Sequence, residues 1–324
     1  KRADKEFTGI TSFEPLSLSR STYQIRWSRR TKRMVLGKER EVWKILVEAS
    51  GMSSEMWIDD DGNVVYETSP AGFEQIIDEP DDALRFDLSQ SGNSDLLTGF
   101  GVRAKWDSKV EARDAYYAEY GIDKNFLPLV RPAEFKQVLK AETLRVCSQG
   151  FTQAQNLPLP TPADTAEETS IQKNDKRISR AAHKIAGDAT DTLKMAQALF
   201  QYLYSNVKKE YQSSMPSAVD VLAKMRGDCN EHATLFAALA RSLNIPTRIN
   251  VGLVCMPETG YFLYHAWNQC FIAGKWHSFD PTLGQSPADA AHIKLLSGSL
   301  EKQIQIMRLS SLSITVRDVK ELCP

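Results

Sequence analysis

Cys229 stands in the run Arg226-Gly227-Asp228-Cys229-Asn230-Glu231-His232-Ala233. Gly227 permits a tight entry into a helix. Asp228 is a good N-cap, and Glu231 three residues on completes a capping-box pattern with Asp in place of Ser or Thr. Helix formers follow from Ala233 to Leu243, and Asn244 and Pro246 stop the run. Cys229 therefore falls at the first helical position. There the positive end of the helix dipole favours a thiolate, the nucleophilic form of cysteine. A buried core cysteine is the competing reading, since most free cysteines are that.

A base and an orienting acid for such a nucleophile stand further on. Tyr264-His265-Ala266-Trp267-Asn268-Gln269 and Trp276-His277-Ser278-Phe279-Asp280-Pro281-Thr282 both read as strands, joined by a tight turn at Ala273-Gly274. Closing the hairpin there sets Phe271 opposite Trp276, Gln269 opposite Ser278 and Trp267 opposite Asp280. Asp280 becomes the diagonal neighbour of His265 on one face. Diagonal Cα atoms are roughly 7–8 Å apart, which an imidazole and a carboxylate can bridge. Cys229, His265 and Asp280 thus make a nucleophile–base–orienter arrangement, with His265 expected to donate its Nδ1–H to Asp280. Trp267 and Trp276 share this face and are expected to line the site, although core packing explains them equally well. His232 lies near Cys229 on the helix face, but parallel side chains three residues apart are poorly aimed for proton transfer, so it is read as a packing residue. Strict alternation turns His277 to the other sheet face. His183 and His292 have no evident partner in sequence.

Across 219–284 the chain resembles the transglutaminase-like superfamily of papain-related cysteine enzymes. The Gly-Asp-Cys helix, the His-Ala-Trp strand and the Asp-Pro-Thr turn agree with it in order and spacing. The resemblance implies an α+β, papain-like core and acyl chemistry on amides, with Cys229 attacking a carbonyl carbon and His265 moving the proton. It leaves open peptidase or amidase hydrolysis, transfer of a glutamine acyl group to an amine, and a catalytically silent fold serving as a binding module. Hydrolysis is the favoured outcome, because transfer needs a site that excludes water and holds an amine close, and no residue cluster looks built to bind a lysine side chain. The oxyanion hole is expected to use the backbone N–H of Cys229, with Tyr211 and Gln212 as candidates for the second donor. The implied partner is a protein or peptide substrate, a cell-wall peptide included. No cofactor is implied, and the acidic metal sites of calcium-activated animal transglutaminases are not evident. The N-terminal hairpins together with the catalytic block also look like a group of bacterial transglutaminase-like proteins. A wall- or polysaccharide-binding role for the N-terminal part is a further alternative.

Composition narrows the field. The 324 residues are 42% hydrophobic and 25% charged, as in a soluble globular protein with large cores. A net charge of −1 gives no global case for nucleic acid or an anionic membrane. No apolar run approaches the ~18 residues of a membrane span. The first residue is Lys1 rather than Met, which is read as a trimmed N-terminus compatible with periplasmic or secreted location. Five cysteines leave at least one free thiol, and no CxxC pair suggests zinc. Cys255 and Cys270 are expected to be reduced core residues, and a Cys147–Cys323 bridge is left open.

Taken in order, residues 1–14 read as a polar arm or edge, and 22–27 and 41–48 alternate as half-buried strands. The basic stretch between them (Arg29, Arg30, Lys32, Arg33, Lys38) reads as a solvated hairpin loop. Met52–Ile58 and Val64–Thr68 read as a hairpin about Asp59-Asp60-Asp61-Gly62-Asn63, a turn rather than a calcium loop because Trp57 would fall at the first ligand position. Strands are expected in 96–106 and 127–139, a helix in 107–120. Pro158, Pro160 and Pro162, followed by the acidic 164–168, mark the clearest boundary. The expected division is a β-rich N-terminal domain (1–155), a proline-rich, acidic linker (156–174) and a catalytic domain (175–324). Helices at 175–185, 191–208 and 218–225, and strands at 248–255, 302–308 and 311–317, complete the latter.

Overall fold

The computed structural model describes residues 6–14, 19–35, 37–49, 52–68, 74–77, 101–106, 114–123, 133–134, 136–150, 158–210, 217–298 and 313–323. The chain forms two compact units, Lys1–Leu96 and Leu97–Pro324.

The first unit is one antiparallel sheet whose six strands follow chain order: β1 (Glu6–Glu14), β2 (Ser19–Val35), β3 (Lys38–Ala49), β4 (Met52–Ile58), β5 (Val64–Thr68) and β6 (Glu74–Ile76). Val35, Val42, Trp57, Val65 and Tyr66 form its small core. The basic stretch is not a loop. β2 continues to Val35 and pairs with β3 as far as Val35↔Lys38. Aromatic faces give Arg33 a place on the sheet, its guanidinium lying 4.2 Å from the Trp57 ring and 3.5 Å from that of Tyr66. The aspartate cluster is the expected turn, in which Asp59 Oδ1 accepts the N–H groups of Asp61 and Asn63 at 3.1 and 2.8 Å.

The second unit is α+β. Its strands are β7 (Val102–Trp106), β8 (Tyr117–Ile122), β9 (Ala133–Glu134), β10 (Gln137–Lys140) and β11 (Thr143–Cys147). Then come helices α1 (Lys176–Ala186) and α2 (Thr192–Asn206), β12 (Lys208–Lys209), α3 (Ala218–Lys224), β13 (Arg226–Gly227) and α4 (Cys229–Ser242). The chain ends with β14 (Thr247–Met256), β15 (Tyr261–Ile272), β16 (Lys275–Phe279), β17 (His292–Ser297) and β18 (Ser313–Lys320). Ten strands make one sheet in the order β17-β14-β15-β7-β18-β8-β11-β10-β9, with β16 on β15. The Gln137 side chain donates to the Lys294 carbonyl (2.7 Å) and accepts its N–H (3.0 Å), which brings β10 against β17 near the other end of that path. Helices α1, α2 and α3 pack around α4, which lies on β14 and β15. Leu199, Leu203, Leu235, Phe236 and Phe279 are among the buried side chains between them.

The domain boundary differs from the expectation. Strands from 102 to 147 join the sheet that carries β14 and β15, through Tyr261↔Arg103 and Thr315↔Gly121. Prolines end elements, but they do not decide which sheet the preceding strands enter. Nor do the described residues of the linker hang free. Asp164 pairs with Arg248 at 3.0 Å, Glu168 with Arg241 at 2.7 Å, and Trp276 Nε1 donates to the Pro158 carbonyl at 2.7 Å. The acidic run is docked by basic residues of α4 and β14. The helix expected in 107–120 is corrected in its last part, where Tyr117–Ile122 is a buried strand. A short apolar and aromatic run does not separate strand from helix by period. Residues 107–113 and the strand expected at 302–308 lie outside the described residues. Cys147 and Cys323 form a disulfide, and Cys255 and Cys270 are buried and outside any disulfide.

Candidate active site

Cys229 opens α4 as its first residue, half-buried and free. The capping box is present: Asp228 Oδ1 accepts from Asn230 N (2.9 Å) and Glu231 Oε2 from Asp228 N (2.9 Å). Gly227 is required by close approach, since a Cβ there would lie 2.2 Å from that of Glu231. The entry is further held by the parallel pairing of β12 with β13, Lys208↔Arg226 and Lys209↔Gly227. Glu231 is buried, and burial together with the neighbouring Asp228 carboxylate pushes it up to about 8. Asn268 Nδ2 donates to the Ala233 carbonyl at 3.0 Å and fastens the first turn of α4 to β15.

The β15–β16 hairpin has the expected register, with Phe271↔Trp276, Gln269↔Ser278 and Asn268↔Phe279. Its turn residues Ala273 and Gly274 have φ of 50° and 79°, as a two-residue hairpin turn requires. Asp280 follows the last β16 residue and is fully buried. Its Oδ1 accepts the N–H groups of Thr282 and Leu283, both at 2.9 Å, so it begins the turn as well as facing the site. Its Oδ2 lies 2.7 Å from His265 Nε2. The nitrogen is therefore Nε2, where Nδ1 was expected. A diagonal strand neighbour is distant, and the far corner of the imidazole reaches it best. Cys229 also acts on His265 and favours its charged form. Burial opposes charge on His265, but Asp280 and then Cys229 outweigh it and hold the imidazole up at about 9. Burial likewise opposes charge on Asp280, and His265 and His292 overcome it, keeping the carboxyl well below its usual range.

Trp267 is buried and stacks on His265. Trp276 shares the face but sits at the turn end of the hairpin, with Phe271 at 5.2 Å and the Arg248 guanidinium 3.6 Å over its ring. Its contacts anchor the docked segment rather than cover His265. His232 is a buried packing residue whose Nδ1 meets the Asp228 carbonyl at 2.6 Å. Tyr211 and Gln212 lie outside the described residues.

Sequence reasoning missed His292. Its Nε2 is 3.0 Å from Asp280 Oδ2 and its Nδ1 2.7 Å from Asp289 Oδ1. The available signal was the Asp289-x-x-His292 spacing just past the Asp-Pro-Thr turn. The ligand-type atoms of His265, Asp280 and His292 all lie within 4.8 Å of one another. A metal needs unprotonated imidazoles, and here both rings direct nitrogens to one carboxylate oxygen at hydrogen-bond distance.

Residues 179–281 match the family model described as the transglutaminase-like superfamily. No curated protein matches the chain. Among solved structures, a candidate cysteine protease from Cytophaga hutchinsonii is similar at 19% identity and TM-score 0.36, over 61% of this chain and 73% of that one. The periplasmic domain of TgpA from Pseudomonas aeruginosa, bound to ethylmercury, is similar at 19% identity and TM-score 0.35, over 45% and 56%. A protein described as a TGase is similar at 12% identity and TM-score 0.28, over 81% and 79%.

Proposed function

We propose, from the match of residues 179–281 to the model of the transglutaminase-like superfamily, that the chain is a cysteine-dependent acyl-transfer enzyme acting on amide or peptide bonds, with hydrolysis as its main outcome. The observation that carries the reading is the line Cys229–His265–Asp280. A thiol at a helix start acts on an imidazole, helping to hold it charged, and the Nε2 of that ring meets a buried carboxylate at 2.7 Å. Cys229 gives its proton to His265, and its sulfur bonds to the carbonyl carbon. The backbone N–H of Cys229, unpaired within the helix, faces the developing oxyanion. His265 then protonates the leaving amine as the C–N bond breaks, giving a thioester. Water attacks the thioester carbonyl, giving up a proton to His265, and that proton returns to the departing sulfur. Asp280 keeps the ring oriented and favours its charged form. The Cys147–Cys323 disulfide supports a chain that works in oxidising surroundings.

The test gives the purified chain a glutamine-containing peptide and a labelled primary amine, with Cys229→Ala as control. Cleavage and deamidation exceeding amine incorporation, and lost in the variant, is the expected result. Dominant incorporation would make it a transglutaminase. A Cys229 inert to mild alkylation, with no turnover of any amide, would make it a binding module.

A further inference from the structure

Asp280 is held from two sides. His265 Nε2 and His292 Nε2 reach the same oxygen, Oδ2, at 2.7 and 3.0 Å, and the two rings stand 5.6 Å apart at 61°. The other nitrogen of His292 meets a second carboxylate, Asp289 Oδ1, at 2.7 Å. Both carboxylates are acceptors elsewhere as well. Asp280 Oδ1 takes the N–H groups of Thr282 and Leu283. Asp289 takes Ala291 N on Oδ1, at 3.0 Å, and Asp114 N and Gln285 Nε2 on Oδ2, at 2.8 and 2.7 Å. Carboxylates so placed are ionised, so each ring nitrogen of His292 must donate. That ring is an imidazolium by hydrogen-bond count.

We infer that His292 is a positioning residue that fixes Asp280 and, by placing a second positive charge on it, limits how strongly His265 holds its proton. The inference rests on the proposed roles of His265 and Asp280. With the aspartate acting on His265 alone, the imidazolium would be held too firmly to give its proton to a leaving amine. A competing cation on the same oxygen offsets part of that pull. Asp289 is the counter-ion that keeps His292 charged: burial opposes the charge, Asp289 and Asp280 overcome it, and the ring is held up at about 9.

Other charged groups around His292 come from several elements. They are His265 on β15, Asp280 after β16, Asp289 before β17, Lys294 on β17 itself, and Lys136 ahead of β10. Lys136 donates to Ser278 Oγ, and burial, opposed by Asp289, pushes it down to about 7. It therefore titrates in the same interval, and Lys136→Met is included as a control for its share.

The test follows the five histidines of the chain by nitrogen NMR of protein labelled at histidine, across pH 5 to 11. The His265 signal is identified by its loss in His265→Gln. In His292→Gln, His265 is expected to titrate about one pH unit higher than in wild type, the scale of removing one like charge at this range. Asp289→Asn should move it in the same direction by less, and serves if His292→Gln does not fold. An unmoved or lowered His265 titration in both variants overturns the inference. The readout needs no substrate, so it stands whether or not the chain proves to be an amidase. Alkylation of Cys229 judges that reading separately.

Discussion

Trp267 lies nearly parallel to His265, with ring centroids 6.1 Å apart and planes 15° from coplanar. The same indole meets His292 edge-on at 5.1 Å. An aromatic face beside an imidazolium stabilises the charged form by about 0.5–2 kcal/mol. Replacing Trp267 with Leu should therefore lower the pH at which His265 loses its proton by roughly half a unit or more, at about 1.4 kcal/mol per unit. The histidine NMR titration reads this directly. An unchanged midpoint would reduce Trp267 to packing.

Asp280→Asn should keep the fold and lose the chemistry. The amide oxygen can still accept the N–H groups of Thr282 and Leu283, which hold the turn. The amide nitrogen would then confront the ring N–H groups of His265 and His292. Turnover is expected to fall by a factor on the order of 10³–10⁴, with an unchanged far-ultraviolet circular dichroism spectrum. A variant within tenfold of wild type would sink the assignment of Asp280 as the orienter.

Stability should fall as pH rises above neutrality. His265 and His292 are raised from 6.5 to about 9, and Glu231 from 4.5 to about 8. A group whose folded value is raised contributes fully below its unfolded value, and the contribution is lost as pH climbs through the folded one. Glu231 therefore weakens the fold between about pH 4.5 and 8, and the histidines between about 6.5 and 9. Asp280 and Asp289, lowered from 3.8, act oppositely and are lost in acid, and Lys136, lowered from 10.5 to about 7, offsets part of the decline between those two values. Thermal midpoints should peak between about pH 4.5 and 6.5. Glu231→Gln should flatten the decline up to pH 8, because the neutral amide cannot ionise. An equally steep decline in that variant would remove Glu231 from the account.

The disulfide bridges residues 176 positions apart and ties the end of β11 to the segment after β18. Cys323→Ser should cost about 2–4 kcal/mol, read as a lowered denaturant midpoint with little change in slope. Because Cys229, Cys255 and Cys270 are not in disulfides, the loss should be reproduced by mild reduction of the wild type.

Local chemistry made much of the site readable in advance. The cap at Asp228, the turn at Ala273-Gly274 and the period of two in β15 are short-range signals, and together they brought His265 and Asp280 to one face. What escaped was non-local. His292 reaches Asp280 because β17 pairs with β14, through Val254↔His292 and Leu253↔Ile293, and no spacing within 280–292 states that pairing. Gly252 lets β17 approach so closely that a Cβ would lie 2.0 Å from the Ile293 carbonyl oxygen, a constraint visible only once the strands are paired. The same holds for 102–147, whose strands declare their alternation but not the sheet they enter. The choice of His265 nitrogen depended on a distance, and residue types carry none.

The bond between Cys147 and Cys323 turns the chain between them into a covalent ring, and Cys229, His265, Asp280 and His292 all lie inside it. A linear protein cut once within such a stretch becomes two pieces, free to part. A ring cut once becomes a longer thread with both new ends still joined through sulfur. If the proposed hydrolysis of amide bonds holds, the chain is exposed to other copies of itself, and a single nick between these two cysteines would leave its parts tethered. Such a nick would be invisible on a gel without reductant and would appear as two bands with it.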